Sequence, residues 1–298
     1  MSAAQPRQLQ LVSRKTILKE TALATLFFLC AFVAVLGVAL IFLFVGWQAW
    51  PILKELGLVE FVTGPVWAPS EDQFGILPLI AGSFIVTLGA LALGTPLAVG
   101  TAVFLSEIAS PKVRAVVRPA VELLAGIPSV VYGFFGIVIL RPIVAELSGG
   151  LGFGALTAWI ILAIMIVPTI AALSEDALRS ITPGIREASY AMGATTWQTI
   201  YKVLLPAAKI GIIDSVILGM GRAIGETMAV LMVVGNAPVF PESITSPMPT
   251  LTAQIVMDMG YSTGTHRTAL FGMAAILFAF SMFLVAAVRL ISRMGSKS

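Results

Sequence analysis

The sequence predicts an all-α, polytopic membrane protein with six transmembrane helices, and three observations predict it. Hydrophobic residues make up 58% of the 298 residues and charged residues only 11%, with a mean hydropathy of +0.99. A soluble domain carries about 25% charged residues, so this chain could not cover a water-facing surface. The apolar residues gather into six runs, each long enough for the roughly 20 residues a spanning helix needs. The basic residues crowd the ends of those runs on one side.

After an N-terminal tail, residues 1–20, the first span runs Thr21–Trp47. Arg14, Lys15 and Lys19 precede it as in a signal peptide. Its apolar run is longer than the roughly 7–15-residue core of such a peptide, and no clear small-residue cleavage site follows, so it is expected to stay as an anchor. Residues 48–75 form an outer loop in which Glu55, Glu60, Glu71 and Asp72 stand against Lys54. The second span is Ile76–Leu105, the third Val117–Leu140 and the fourth Phe153–Leu173. The fifth is Ile210–Val234 and the sixth Ala269–Ile291, so that residues 76–291 hold a five-helix core and 292–298 a short tail. The remaining outer segments are 141–152 and 235–268, the latter rich in Pro, Ser and Thr as an ordered loop without long helices is.

Fourteen Lys and Arg residues then lie on one side: Arg7, Arg14, Lys15 and Lys19, a second group at 112–118, a third at 179–209, and Arg289, Arg293 and Lys297. Three lie on the other, Lys54, Arg141 and Arg267. That asymmetry predicts both termini in the cytoplasm. No internal repeat of the kind many secondary transporters show is visible. Pro96, Pro128 and Pro168 fall inside three consecutive spans. Membrane helices tolerate Pro, but bends at these positions could also free carbonyls to line a path. The run Gly126-Ile127-Pro128-Ser129 should break a helix most sharply.

Residues 174–209, on the basic side, are longer than a mere connection requires. They read as two short helices. Thr182 can cap the first with Pro183 in its first turn, and Gly193 can end it in a left-handed conformation. Thr195-Thr196-Trp197-Gln198 has capping-box form, and a second helix could run to Leu205 before Pro206. Ala188, Ala191 and Met192 would give the first helix a small apolar stripe.

The fifth span contains charge. Arg222 lies twelve residues past Ile210, roughly 18 Å deep at about 1.5 Å per residue and near the midplane of a roughly 30 Å core. A central Arg costs about 2.5–3.5 kcal/mol on insertion scales, so it should face protein or water. Glu226 is at i+4, where the two can pair. Ser215 and Gly219 lie near the same face, and Gly221 and Gly225 form a GxxxG pattern that favours close packing. Two readings stay open: a buried ion pair that fixes helix contacts, or an anion path in which Arg222 makes a forked contact with the anion while Glu226 moderates its field.

The pattern Glu187-Ala188-Ser189, then Gly193, then Val203-Leu204-Leu205-Pro206 resembles the EAA loop of ABC importer permeases, with Ser189 and Val203 as departures. The segments Gly221–Val230 and Glu122–Gly136 resemble the PstC-type permease of phosphate ABC importers, and the likeness runs from about the second span to the sixth. A PstA-type subunit shares much of the pattern. The resemblance implies a type I ABC importer permease architecture in the bacterial inner membrane. It also implies a PstA-type partner, a dimeric cytoplasmic ATPase docking on Glu187, Ala188, Gly193, Leu205 and Pro206, and a periplasmic phosphate-binding protein. It implies no cofactor in this chain, with ATP and Mg bound by the ATPase.

The residues themselves exclude other classes. GxxxxGK[ST] does not occur, so ATP cannot be hydrolysed here by a P-loop, and there is no HExxH. A lone His266 and a lone Cys30 make neither a His-rich metal site nor a disulfide, and a net charge of +3 from scattered basic residues gives nucleic acid no footprint. A permease for another oxyanion such as sulfate, and an ATP-independent secondary anion transporter, remain as alternatives; the second leaves the EAA spacing unexplained.

Overall fold

The computed structural model describes the backbone of residues 14–294 and the side chains of residues 20–290. The expected tails therefore lie largely outside the described residues. The chain divides into two compact units, residues 1–48 and 49–298. Helix α1, Arg14–Glu55, supplies the described part of the first and runs past its last residue; it is already helical seven residues before the expected start of the first span. Within this unit its apolar side chains, Phe27, Phe28, Val35 and Leu43 among them, are exposed all round, which is the pattern of a helix solvated by lipid.

The second unit is built on α3, Leu77–Val103, which passes through a π-turn at Phe104–Ile108, and on α7, Ala155–Arg179. Small residues let the two approach. A Cβ on Gly94 would stand 2.9 Å from Ile166, and one on Gly89 would overlap Trp159; such close backbone approach is how helices pack in lipid, where apolar burial provides little drive. Before α3 come α2, Leu58–Thr63, and a two-strand hairpin, β1 Trp67–Ala68 with β2 Gln73–Phe74. Phe61, Trp67, Phe74, Ile76 and Leu79 form one apolar cluster with Leu251, Leu270 and Met273. These last three come from α13, Leu251–Met259, and α14, Gly264–Met294.

Two expected spans are corrected. The third is not Val117–Leu140. Helix α4, Pro111–Ala125, carries charge on one face and ends at Gly126. A new helix starts after Pro128: α5 Ser129–Phe135, a π-turn Gly136–Leu140 and α6 Arg141–Ser148. The apolar stretch long enough to cross is thus Ser129–Ser148, and Arg141 belongs to it. Its Nε donates to Leu151 O at 3.0 Å and its guanidinium sits 4.3 Å from the Phe153 ring centre, so the charge is satisfied at the helix end. The expected outer segment 141–152 is correspondingly mostly helix.

The fifth span is also broken. Helix α11, Lys209–Ile224, stops at Gly225, and α12, Met228–Val233, resumes after Thr227. Pro128 therefore marks a true break, whereas Pro96 and Pro168 lie inside continuous α3 and α7. Among the described residues five helices are long and apolar enough to cross a membrane, or six with the bent pair 196–207 and 209–224 as one span.

Candidate functional site

The break in the fifth span changes the relation between its two charges. Arg222 is in the last turn of α11, and Glu226 lies past the end of the helix, beside the start of α12. With Gly225 as the cap, the i+4 geometry no longer applies. The expected ion pair is not formed: among the described residues Arg222 is not in salt-bridge contact with Glu226. Arg222 Nη1 donates to Thr169 Oγ1 at 3.3 Å and Nη2 to Ala125 O at 3.5 Å. The first contact is on α7 and the second is the last residue of α4, beside the Gly126–Pro128 break. Glu226 Oε1 accepts from Ala229 N at 3.1 Å, and its carbonyl accepts from Thr252 Oγ1 at 3.0 Å. A cation at a helix C-terminus and an anion at a helix N-terminus each meet the favourable end of a dipole. Each charge thus has its own local stabilisation. Around Glu226 the hydroxyl-bearing Ser83, Thr87, Thr250 and Thr252 line a small cleft with Ala223 and Val230.

The expected close packing through Gly221 and Gly225 is corrected as well. A Cβ on Gly221 would meet nothing within 4 Å, and one on Gly225 only the Gly221 carbonyl of its own helix. Close approach to α7 comes instead from Gly211, Ser215 and Gly219. Added Cβ atoms on the two glycines would lie 2.5 Å from Ala177 and from Ile170, and Ser215 Oγ is 2.7 Å from Ser174 Oγ.

At the basic end of the molecule residues 174–179 continue α7, so the expected loop is shorter than 174–209. The knob then forms as expected: α8, Pro183–Ala191, with Thr182 at its N-cap position though without a side-chain cap bond. Gly193 has φ +83. The Thr195–Gln198 capping box is complete, with Gln198 N to Thr195 Oγ1 at 3.3 Å and Thr195 N to Gln198 Oε1 at 2.9 Å. It opens α9, Thr196–Thr199, which runs through a π-turn at Ile200–Leu204 into α10, Leu205–Ala207. Pro206 is therefore inside the last turn rather than just beyond the helix. Ser189, the departure from the Glu-Ala-Ala triplet, spends its hydroxyl on Thr199 at 2.9 Å and so ties the two knob helices.

Glu187 and Ala188 are exposed. Tyr190, Met192, Trp197 and Tyr201 are exposed with them, a concentration of large side chains on one small element. The expected apolar stripe of Ala188, Ala191 and Met192 is accordingly on the outside.

Sequence reasoning missed two polar centres. Glu175, fully buried on α7, accepts from Arg114 Nε at 3.0 Å and Nη2 at 2.8 Å, with Arg118 at 3.5 Å and Arg179 at 3.6 Å, while its Oε2 has no hydrogen-bond partner. The hydrogen bond to Glu122, aided by the charges of Glu175 and Asp176, raises the Arg118 guanidinium above its ordinary value against the cost of burial. On the opposite face Asp258 accepts from Gln254 and Tyr261, each at 2.8 Å, and meets His266 Nε2 at 3.1 Å. They line an open cavity of about 720 Å³ with Trp67 and Phe74. The signal for the first lay in the i+4 spacing of Arg114 and Arg118; the second had no sequence pattern.

Residues 94–294 match the family described as "Binding-protein-dependent transport system inner membrane component". A Bacillus subtilis (strain 168) protein named as a probable ABC transporter permease, YqgH, is 40% identical over 297 residues, covering 98% of this chain and 94% of that protein. The phosphate transport system permease PstC of Pasteurella multocida (strain Pm70) is 34% identical over 263 residues, 82% of each chain. Among solved structures, a chain of a bacterial alginate ABC transporter, in complex with its alginate-bound periplasmic protein, superposes with a TM-score of 0.62 at 17% identity. It covers 98% of this chain and 99% of that one, and so shares the fold.

Proposed function

The chain belongs to the inner-membrane components of binding-protein-dependent transport systems, and from that premise we propose that it is the PstC-type permease subunit of a phosphate ABC importer. It is a multi-pass inner-membrane protein and a transporter subunit. The observation that carries the reading is the broken fifth span, with Arg222 held by two neutral oxygens at long range, in a chain whose named relatives include phosphate permeases. A guanidinium bonded to a hydroxyl and a carbonyl has no counter-charge among these partners, and bonds of 3.3 and 3.5 Å are weak enough to exchange. Phosphate oxygens offer it two parallel, charge-assisted bonds at about 2.8 Å. Glu226 sets an opposing charge past the break and limits how long the anion stays.

The energy comes from outside the chain. A dimeric cytoplasmic ATPase binds ATP and Mg and seats on the knob at Glu187, Ala188 and Gly193, with Leu205 and Pro206 fixing its base. A PstA-type subunit completes the path, and a periplasmic phosphate-binding protein delivers the anion to the face that carries Asp258 and His266. Both termini are cytoplasmic.

Uptake of labelled phosphate by vesicles holding this chain with those three partners tests the reading. ATP-dependent phosphate uptake, with sulfate excluded, is expected. Sulfate uptake in its place reassigns the anion, and uptake that persists without the ATPase makes the chain a secondary transporter. For topology, Ser70→Cys and Ser246→Cys should react with an impermeant thiol reagent from outside and Ser296→Cys should not; the reverse pattern inverts the orientation.

A further inference from the structure

Arg186, the residue immediately before Glu187, turns away from the exposed face of α8 and toward the ends of α3 and α7. Its guanidinium makes four hydrogen bonds to three residues: one in the π-turn after α3, one in α7 and one in the connection that follows α7. Nε and Nη2 grip the two oxygens of Glu107 at 3.2 and 2.8 Å. Nη2 also donates to Leu178 O and Nη1 to Ile181 O, both at 2.8 Å. Glu107 is in the π-turn that ends α3, and Leu178 is in the last turn of α7. The Glu107 side chain is 8% exposed, and the hydrogen bond to it raises the Arg186 guanidinium above its ordinary value.

Beneath this clamp lies an apolar seat. Ala102 and Val103 of α3, Leu178 of α7, and Ile200 and Leu204 of the second knob helix pack in one buried cluster. Apolar contacts resist compression but slide easily, since they have no direction. A forked Arg–carboxylate pair with two carbonyl bonds added is directional and resists shear. The long helices α3 and α7 pack on each other along their length, so whatever moves their shared end moves both.

We propose that Arg186 is a positioning residue for coupling: it locks α8 to the ends of α3 and α7, so that displacement of the knob by a nucleotide-driven partner is delivered to both helices together. Glu107 is the other jaw of the clamp. This rests on the permease reading above, and the test separates the two.

The complex of this chain with its permease partner, ATPase and binding protein is assembled in vesicles on a Cys30→Ser background. Spin labels are placed through Gly100→Cys on α3 and Gly184→Cys on α8, where an added Cβ meets nothing within 4 Å. With the clamp intact, the label separation should be the same in the nucleotide-free and nucleotide-trapped complexes. Arg186→Gln should change or broaden it on trapping. The same variant should lower the anion carried per ATP hydrolysed by roughly tenfold while the ATPase stays bound. Arg186→Lys, which keeps the charge but not the fork, should restore only part of that ratio. Glu107→Gln, which preserves shape, supplies the same readout if Arg186→Gln assembles poorly. A separation that already changes on trapping in the parent complex overturns the proposal. So does an unchanged ratio in both variants, and so does loss of the ATPase from both, which would make the clamp a structural strut. If the anion proves not to be phosphate, the functional reading fails while the label separation and the ratio still judge the clamp.

Discussion

The knob at residues 183–207 and the broken fifth span carry the two halves of the proposed work, and they are built on opposite logic. The knob is a sequence-local object. Its turn is made by Gly193 at φ +83, its second helix by a reciprocal cap four residues long, and each rule acts between near neighbours. The broken span is a tertiary object. The two charges of its midsection do not satisfy each other, though they are four residues apart; each is held by a helix end and by groups from elsewhere, Thr169 and Ala125 for Arg222, Thr252 for the Glu226 backbone. Local rules make the knob, the proposed docking surface, readable along the chain. A transport path needs groups whose partners can be exchanged, and that exchangeability is invisible to spacing.

Arg222→Gln should give the largest effect. If the guanidinium contacts the anion, its loss removes about 3 kcal/mol of charge-assisted bonding, roughly a hundredfold in uptake. Because its present partners are neutral, assembly of the complex should stay intact, as copurification of the subunits will show. Loss of assembly together with uptake would make Arg222 structural and erase the contrast with the knob.

Gly193→Val comes next. A Cβ there meets open space, so the cost is the backbone alone, about 1–3 kcal/mol for a β-branched residue held at positive φ. Association with the ATPase should weaken while membrane insertion survives, and Gly193→Asn should be milder, since Asn tolerates the left-handed region. Equal association of all three forms would show that the turn does not shape the docking face.

Thr195→Ala removes one arm of the capping box, about 1 kcal/mol. It should loosen the start of the second knob helix, visible as faster amide exchange at Gln198, with a smaller loss of ATPase binding than Gly193→Val. The smallest static effect belongs to Glu226→Gln, which keeps an acceptor for Ala229 N and loses only the helix-end charge term, about 0.3–1 kcal/mol. The double variant Arg222→Gln/Glu226→Gln then sharpens the comparison. Separately satisfied charges predict effects on assembly that add within about 0.5 kcal/mol. A double variant that assembles better than either single would mean the two charges do meet in some state.

The sequence made the fold class legible because composition and run length decide it. It also located the knob, the Gly126–Pro128 break and the two charges. What it misjudged follows from averaging over runs. Val117, Val121, Leu123 and Leu124 look like span residues until Arg114, Arg118 and Glu122 are seen to share α4 with them and, for the two arginines, to face Glu175 across to α7. Helical spacing paired Arg222 with Glu226 because spacing assumes the helix continues, and Gly225 ends it. The clamp of Arg186 on Glu107 joins residues 79 positions apart, and no local rule reaches that far.

A rod cut in the middle cannot carry torque across the cut. Lys209–Ile224 and Met228–Val233 are two levers joined by the three residues Gly225, Glu226 and Thr227. Twisting the lower lever where its Gly211, Ser215 and Gly219 pack on α7 need not turn the upper one. In the proposed anion path, a break of this kind lets the two mouths be worked one at a time, and a pump differs from a pore in never having both ajar.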